Sequence, residues 1–257
     1  MCLQSPFSSK PSRENVDQNS TAKGEDSAFV CRVIKQRKWC QGTENELGSL
    51  EIKFCIDTVL SVLQSLGEDP ETALEFFKWV GRQTCFKHSA STYNAMIKLV
   101  GSNKYIDFFW ILINEMGHKG YQMDIKTYIV VLRRFIKRKM MKDVVDLFIR
   151  MMDNGESKPS SPNCSTVLHE LSLFSSPDID LVFKVVEAFR DGGGYLDKAV
   201  YDGIHRSLSS SGRFDEAEDV VNVMRKAGFV PDNITYSQLV YGLCKAGRLD
   251  EGCTILE

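Results

Sequence analysis

The densest chemistry in this 257-residue chain is cationic. Arg133, Arg134, Lys137, Arg138, Lys139 and Lys142 crowd together, and the stretch 125–159 holds nine basic residues against four acids. Guanidinium and ammonium groups at that density form either a solvated charged face or a surface that neutralises phosphates. The chain as a whole has a formal net charge of -2, so a phosphate-binding surface has to be local.

No comparable constellation exists for catalysis. His88, His118, His169 and His205 are widely separated, and the cysteines at 2, 31, 40, 55, 85, 164, 244 and 253 contain no CxxC pair. That spacing indicates neither a zinc site nor a disulfide framework, and the thiols read as reduced, intracellular and mostly packed in the core. Gly192-Gly193-Gly194 has no strand before it, so it reads as a helix stop and not as a phosphate cradle. Asn233-Ile234-Thr235 matches a glycosylation acceptor but lies in a chain read as intracellular. No stretch approaches the roughly 18 apolar residues of a membrane span. The expectation is a soluble protein that is not an enzyme, holds no metal or cofactor and has no membrane partner.

The elements that position these residues follow from a period. Thr92-Tyr93, Thr127-Tyr128 and Thr235-Tyr236 share a dipeptide; Tyr93 and Tyr128 are 35 residues apart, as are Tyr201 and Tyr236. Gly212-Arg213-Phe214-Asp215-Glu216 returns 35 residues later as Gly247-Arg248-Leu249-Asp250-Glu251, and Met116/Met151 and Gly120/Gly155 keep the same offset. A fixed period of this size marks stacked repeats. Within it, Val59, Val62, Leu63, Leu66 and likewise Ala73, Phe76, Phe77, Val80 and Val144, Leu147, Phe148, Met151 step at helical spacing. Glycines 120, 155 and 228 follow the second stripe as stops. Each unit is therefore predicted to be a helical hairpin that buries its stripes only by stacking, giving an all-α solenoid.

Thr92-Tyr93-Asn94, the run Tyr236–Glu251 and Lys226-Ala-Gly-Phe-Val-Pro-Asp232 resemble the pentatricopeptide repeat of plant organellar proteins of the P type. Repeats fall at 90–124, 125–159, 160–197, 198–232 and, incomplete, 233–257, with 46–89 as a degenerate opening hairpin. The tetratricopeptide repeat has a similar period, but its Trp, Leu-Gly and Ala-Phe-Pro landmarks are absent. The resemblance implies a right-handed superhelix that binds single-stranded RNA at one base per repeat. It implies base readers at the residue after each tyrosine position and at the last residue of each repeat. These are Asn94 with Asp124, the family's uridine-preferring combination, Asp202 with Asp232, and Ser237, whose partner lies beyond Glu257. Ser91 and Ile234 occupy the base-packing position, and Lys137 and Lys245 the phosphate-contacting one. Ile129 cannot hydrogen-bond a base and Cys164 does so weakly, so sequence specificity is expected to be poor. The strings HxE and CxxC of the family's deaminase extensions do not occur.

The implied function is binding of an organellar transcript to influence its processing, stability, splicing or translation. The mitochondrion is the first expectation and the chloroplast the second. A protein-binding solenoid without RNA specificity is the alternative. Residues 1–45, with Ser5, Ser8, Ser9, Ser12, Pro6 and Pro11, are predicted to be a disordered tail. As a transit segment they match through serine, while Glu14, Asp17 and the single early Arg13 do not fit. The chain stops midway through a predicted helix, and a fragment of a longer array is expected.

Overall fold

Carboxylate caps and left-handed stops cut this sequence into short helices. The computed structural model describes residues 17–36, 39–50, 52–101, 103–155, 157–173 and 178–256. The helices are α1 (Asp17–Gln36), α2 (Gln41–Ser49), α3 (Ile56–Ser65), α4 (Pro70–Gly81), α5 (Ala90–Val100), α6 (Ile106–His118), α7 (Ile125–Lys137), α8 (Met141–Met152), α9 (Ser161–Ser172), α10 (Ile179–Asp191), α11 (Lys198–Ser210), α12 (Phe214–Lys226), α13 (Asn233–Lys245) and α14 (Leu249–Leu256). There is no strand among the described residues.

Side-chain oxygens satisfy the orphan amides at the helix starts. Asp69 accepts from Thr72 N at 3.1 Å, with Pro70 in the first turn where its missing N–H costs nothing. Asp124, Asp197 and Asp232 do the same for α7, α11 and α13. The GRxDE ladder closes the turns before α12 and α14. Gly212 and Gly247 both adopt φ of 78°, and Arg213 and Arg248 fork onto Glu216 and Glu251 at 2.5 to 2.7 Å. Lys139 holds the same slot between α7 and α8 at φ 57°, a conformation costing a side-chain-bearing residue about 1 kcal/mol or more. Gly155 is not left-handed, in contrast to Gly120 and Gly228; α8 already stops at Met152 and Asp153 caps it in the right-handed region.

The chain divides into two compact units. One contains the described residues up to Val100 together with Asn114–Tyr121; the other contains Gly101–Ile113 and Gln122 onward. In the first, α3 packs on α1 and α5, and α4 on α5. Its core includes Val59, Val62, Leu63, Leu66, Ala73, Phe76, Phe77 and Val80, all buried as their spacing requires. In the second, α7/α8, α9/α10, α11/α12 and α13/α14 form successive hairpins. These stack side by side, α8 on α10, α9 on α11 and α11 on α13. The α9–α11 approach is close because Gly203 has no side chain: a Cβ there would stand 2.8 Å from Leu168 Cβ.

Two expectations need correcting. The tail expected to be disordered to residue 45 carries α1 and α2. Val30, Val33 and Ile34 lie at helical spacing and are buried, which supplies the apolar surface that the overall composition of 1–45 conceals. The Ser- and Pro-containing segment 1–16 lies outside the described residues. The cysteines are also less internal than expected: Cys31 and Cys164 are buried, whereas Cys40, Cys85, Cys244 and Cys253 are exposed.

Candidate functional site

The first helices turn one side away from the packed core, and on α13 and most of α7 that side is open. Counting from the residue after the cap, positions 2, 5, 9 and 13 fall on one side of a helix turning 100° per residue, opposite the buried positions 4, 7, 8 and 11. On α13 these are Ile234, Ser237, Tyr241 and Lys245, all exposed. On α7 they are Lys126, Ile129, Arg133 and Lys137, exposed apart from the half-buried Ile129. Lys245 also borders a cleft of about 580 Å³ whose lining includes Ser209, Phe214, Gln238 and Tyr241. Tyr93, Tyr128 and Cys164 fill the fourth position with no exposed surface, while Tyr201 and Tyr236 are half-buried there, so the tyrosine ladder faces the packed side of the helices.

The last residue of each repeat has a structural duty that spacing does not reveal. Asp124 Oδ1 accepts from Thr127 N at 2.6 Å, and Asp232 Oδ1 accepts from Ile234 N and Thr235 N at 3.0 and 3.1 Å. These expected base readers are therefore also helix caps. Asp202 and Asp232, which place two carboxylates together, are joined by a residue the sequence reading missed. Lys198 Nζ lies 2.8 Å from an oxygen of each, and Thr235 Oγ1 donates to this carboxylate pair. The hydrogen bond from Lys198, helped by the Thr235 amide, holds the Asp232 carboxyl down at about 2. The ion pairs raise the Lys198 ammonium above its ordinary value. Ser161 stands in the same first-position relation to the next cap, its hydroxyl donating to Asp197.

Asn94 differs from the exposed readers. It is 5% exposed, and its amide donates to Ala90 O of its own helix at 2.8 Å. Contact with a base therefore requires the side chain to turn away from Ala90 O. Ser91, one turn earlier, is exposed.

The third hairpin shifts register by one. Ser160, expected to open the repeat after Pro159, itself occupies the cap, in a capping box where Asn163 Oδ1 accepts from Ser160 N at 3.1 Å. Cys164 is then the buried tyrosine equivalent, and Ser165, half-buried, is the position-5 residue paired in register with Asp197. The capping-box spacing Ser160-x-x-Asn163 was the available signal. Among the described residues no group of three or more His, Cys, Asp or Glu is placed to hold a metal ion.

The PPR repeat family pattern matches residues 204–245, and the PPR repeat matches 91–121, 126–156 and 234–257. An Arabidopsis thaliana pentatricopeptide repeat-containing protein named as chloroplastic is 46% identical over 74% of this chain and 31% of its own length. The chain belongs to the pentatricopeptide repeat family. A mitochondrial member from the same plant is 33% identical over 73% of this chain and 28% of its own. The Arabidopsis small ribosomal subunit protein mS81 is 31% identical over 73% of the chain and 28% of its own. The chain thus spans about three tenths of the length of these relatives. In fold, it is similar to the crystal structure of nuclear proteinaceous RNase P 2 from A. thaliana, with TM-score 0.51 and 14% identity, covering 73% of this chain and 42% of that one.

Proposed function

We propose that this pentatricopeptide repeat protein binds single-stranded RNA of an organellar transcript along the open face of its first helices, without catalysis. Occupying the strand excludes nucleases or competing structure and so influences processing, stability, splicing or translation. The observation that carries this reading is the shared exposed face, where Ile234, Ser237 and Lys245 of α13 line up for base packing, base reading and phosphate contact. Lys137 takes the phosphate role on α7, and Asp202 with Asp232 forms a weaker reading site because Lys198 engages both carboxylates. Asn94 with Asp124, packed by Ser91, is the uridine site. Ser165 with Asp197 joins the readers by register. We place the protein in the mitochondrion, with the chloroplast as the alternative; the names of its relatives divide between the two.

A second reading, a solenoid that holds a protein partner, is favoured by the ribosomal-protein relative. Selection of a randomised single-stranded RNA pool on the whole chain separates the two. A short motif with a fixed uridine is expected; Asn94→Ala relaxes that position alone, and Lys137→Ala weakens all sequences evenly. Enrichment of nothing by the folded chain, with salt-tolerant capture on ribosomal subunits, establishes the second reading instead.

A further inference from the structure

Two side chains on α13 depart from the other first helices of the described residues. Position 6 holds the short or apolar Ala95, Val130, Thr166 and Gly203 on α5, α7, α9 and α11, and position 9 there holds a lysine, two arginines and a histidine. On α13 the same positions carry Gln238 and Tyr241. Three residues apart, these share one side of the helix. Tyr241 is 71% exposed, and Gln238 is half-buried.

Both line the cleft of about 580 Å³ between the end of α11 and α13, a volume that suits a ligand of nucleotide size. One wall is apolar. It is Phe214, whose buried ring comes close to α13 because Gly242 has no side chain: a Cβ there would stand 2.5 Å from Phe214 Cε1. The α11 wall is polar. Ser209 lines it, and its buried hydroxyl has no hydrogen-bond partner. Buried polar groups are ordinarily satisfied, so this wall holds hydrogen-bonding capacity that the fold leaves unused.

The chemistry of these groups selects an occupant. A carboxamide offers a donor beside an acceptor, and adenine presents the complementary pair at N6 and N7, whereas the O6 and N7 of guanine both accept. An exposed tyrosine ring is a stacking platform for a base, and a purine covers more of it than a pyrimidine does. Lys245 borders the same cleft and supplies an ammonium for the phosphate that a nucleotide carries. We propose that the cleft between α11 and α13 binds an adenine nucleotide, with the base stacked on Tyr241, its N6–N7 edge on the Gln238 amide and Ser209 Oγ as a further hydrogen-bonding group. The nucleotide is either free or part of a bound strand. The second case rests on the RNA reading above and adds a base site beside that of Ser237.

The test uses the whole chain and two probes. Adenosine monophosphate is followed by equilibrium dialysis, and oligouridine strands with and without one central adenosine are compared in affinity. The adenosine is expected to raise the affinity of the strand about tenfold. Tyr241→Ala removes that advantage and Tyr241→Phe keeps it. Gln238→Ala keeps a purine advantage but no longer separates adenosine from guanosine. A strand advantage without binding of the monophosphate assigns the site to RNA; binding of the monophosphate that Tyr241→Ala abolishes, without a strand advantage, assigns it to the free nucleotide. An adenosine advantage that survives both Tyr241→Ala and Gln238→Ala, or RNA binding with no adenosine preference and no binding of the monophosphate, overturns the cleft while the RNA reading stands. Binding of the monophosphate by a chain that binds no RNA overturns the RNA reading and leaves the cleft. Failure with every probe overturns both.

Discussion

Phe148→Ala is expected to destabilise the second unit by about 3–5 kcal/mol, the cost of deleting a large buried aromatic side chain and leaving its cavity. Phe148 has no exposed surface; it lies on the inner stripe of α8 with Val144, Leu147 and Met151. Its ring stands 6.4 Å from that of Phe189 on α10, across the junction between two hairpins. A stacked array gains much of its stability at such junctions because each hairpin touches only its neighbours. The substitution therefore removes an interface contribution and not only an internal one. Urea denaturation followed by helical circular dichroism is expected to show a midpoint lowered in proportion, or an early transition if the stack separates at that junction. A loss below about 1 kcal/mol would mean that α8 and α10 are not packed as described.

The first unit is expected to lose up to roughly 3 kcal/mol between pH 6.5 and pH 4, through His88. Its imidazole is 8% exposed and stacks on Phe77 at 3.7 Å. One nitrogen bonds Phe77 O at 3.0 Å, and the other faces Thr92 Oγ1 at 3.2 Å. Burial is the main cause that pushes its pKa from 6.5 down to about 4; the carbonyl of Phe77 opposes this, and the Lys119 and Glu115 charges act in opposite directions. The unfolded chain therefore binds a proton at a higher pH than the folded one. Stability is complete above about pH 6.5 and falls as acid is added through the folded value. His205 in the second unit is shifted in the same direction by burial. Asp232, Glu115 and Glu251 have lowered values, so their ion pairs persist until lower pH and the upper part of the window belongs to the histidines. Denaturant titrations at stepped pH check this. His88→Gln should remove most of the slope in the first unit, and a His88 resonance titrating near 6.5 in the folded chain would contradict the account.

The hairpins were legible because their landmarks are local. Asp69-Pro70 starts α4, Gly-Arg-x-Asp-Glu closes two turns through a glycine and an i,i+3 fork, and the apolar stripes of α3, α4 and α8 are buried as their spacing requires. α1 escaped because composition averaged over 45 residues hid the stripe Val30, Val33, Ile34. The slip at the third repeat came from carrying the 35-residue period through a repeat whose tyrosine is replaced by Cys164, when the capping box at Ser160 held the register.

The candidate site was legible in position more than in chemistry. The family resemblance, laid over the period, pointed to positions 2, 5 and 13, and Lys137, Lys245, Ile234 and Ser237 are exposed there. It could not show that Asn94 bonds its own helix, that Asp124 and Asp232 cap helices, or that Lys198 bridges two carboxylates 30 residues apart. Those facts depend on which side chains from successive repeats meet.

The most direct measurement is binding of the whole chain to a labelled single-stranded RNA and to its duplex, each across a salt series. The account predicts that the single strand binds with affinity falling steeply as salt rises, and that its duplex, whose bases are paired and stacked, binds far more weakly. A folded chain that binds neither, or binds both equally, would contradict it.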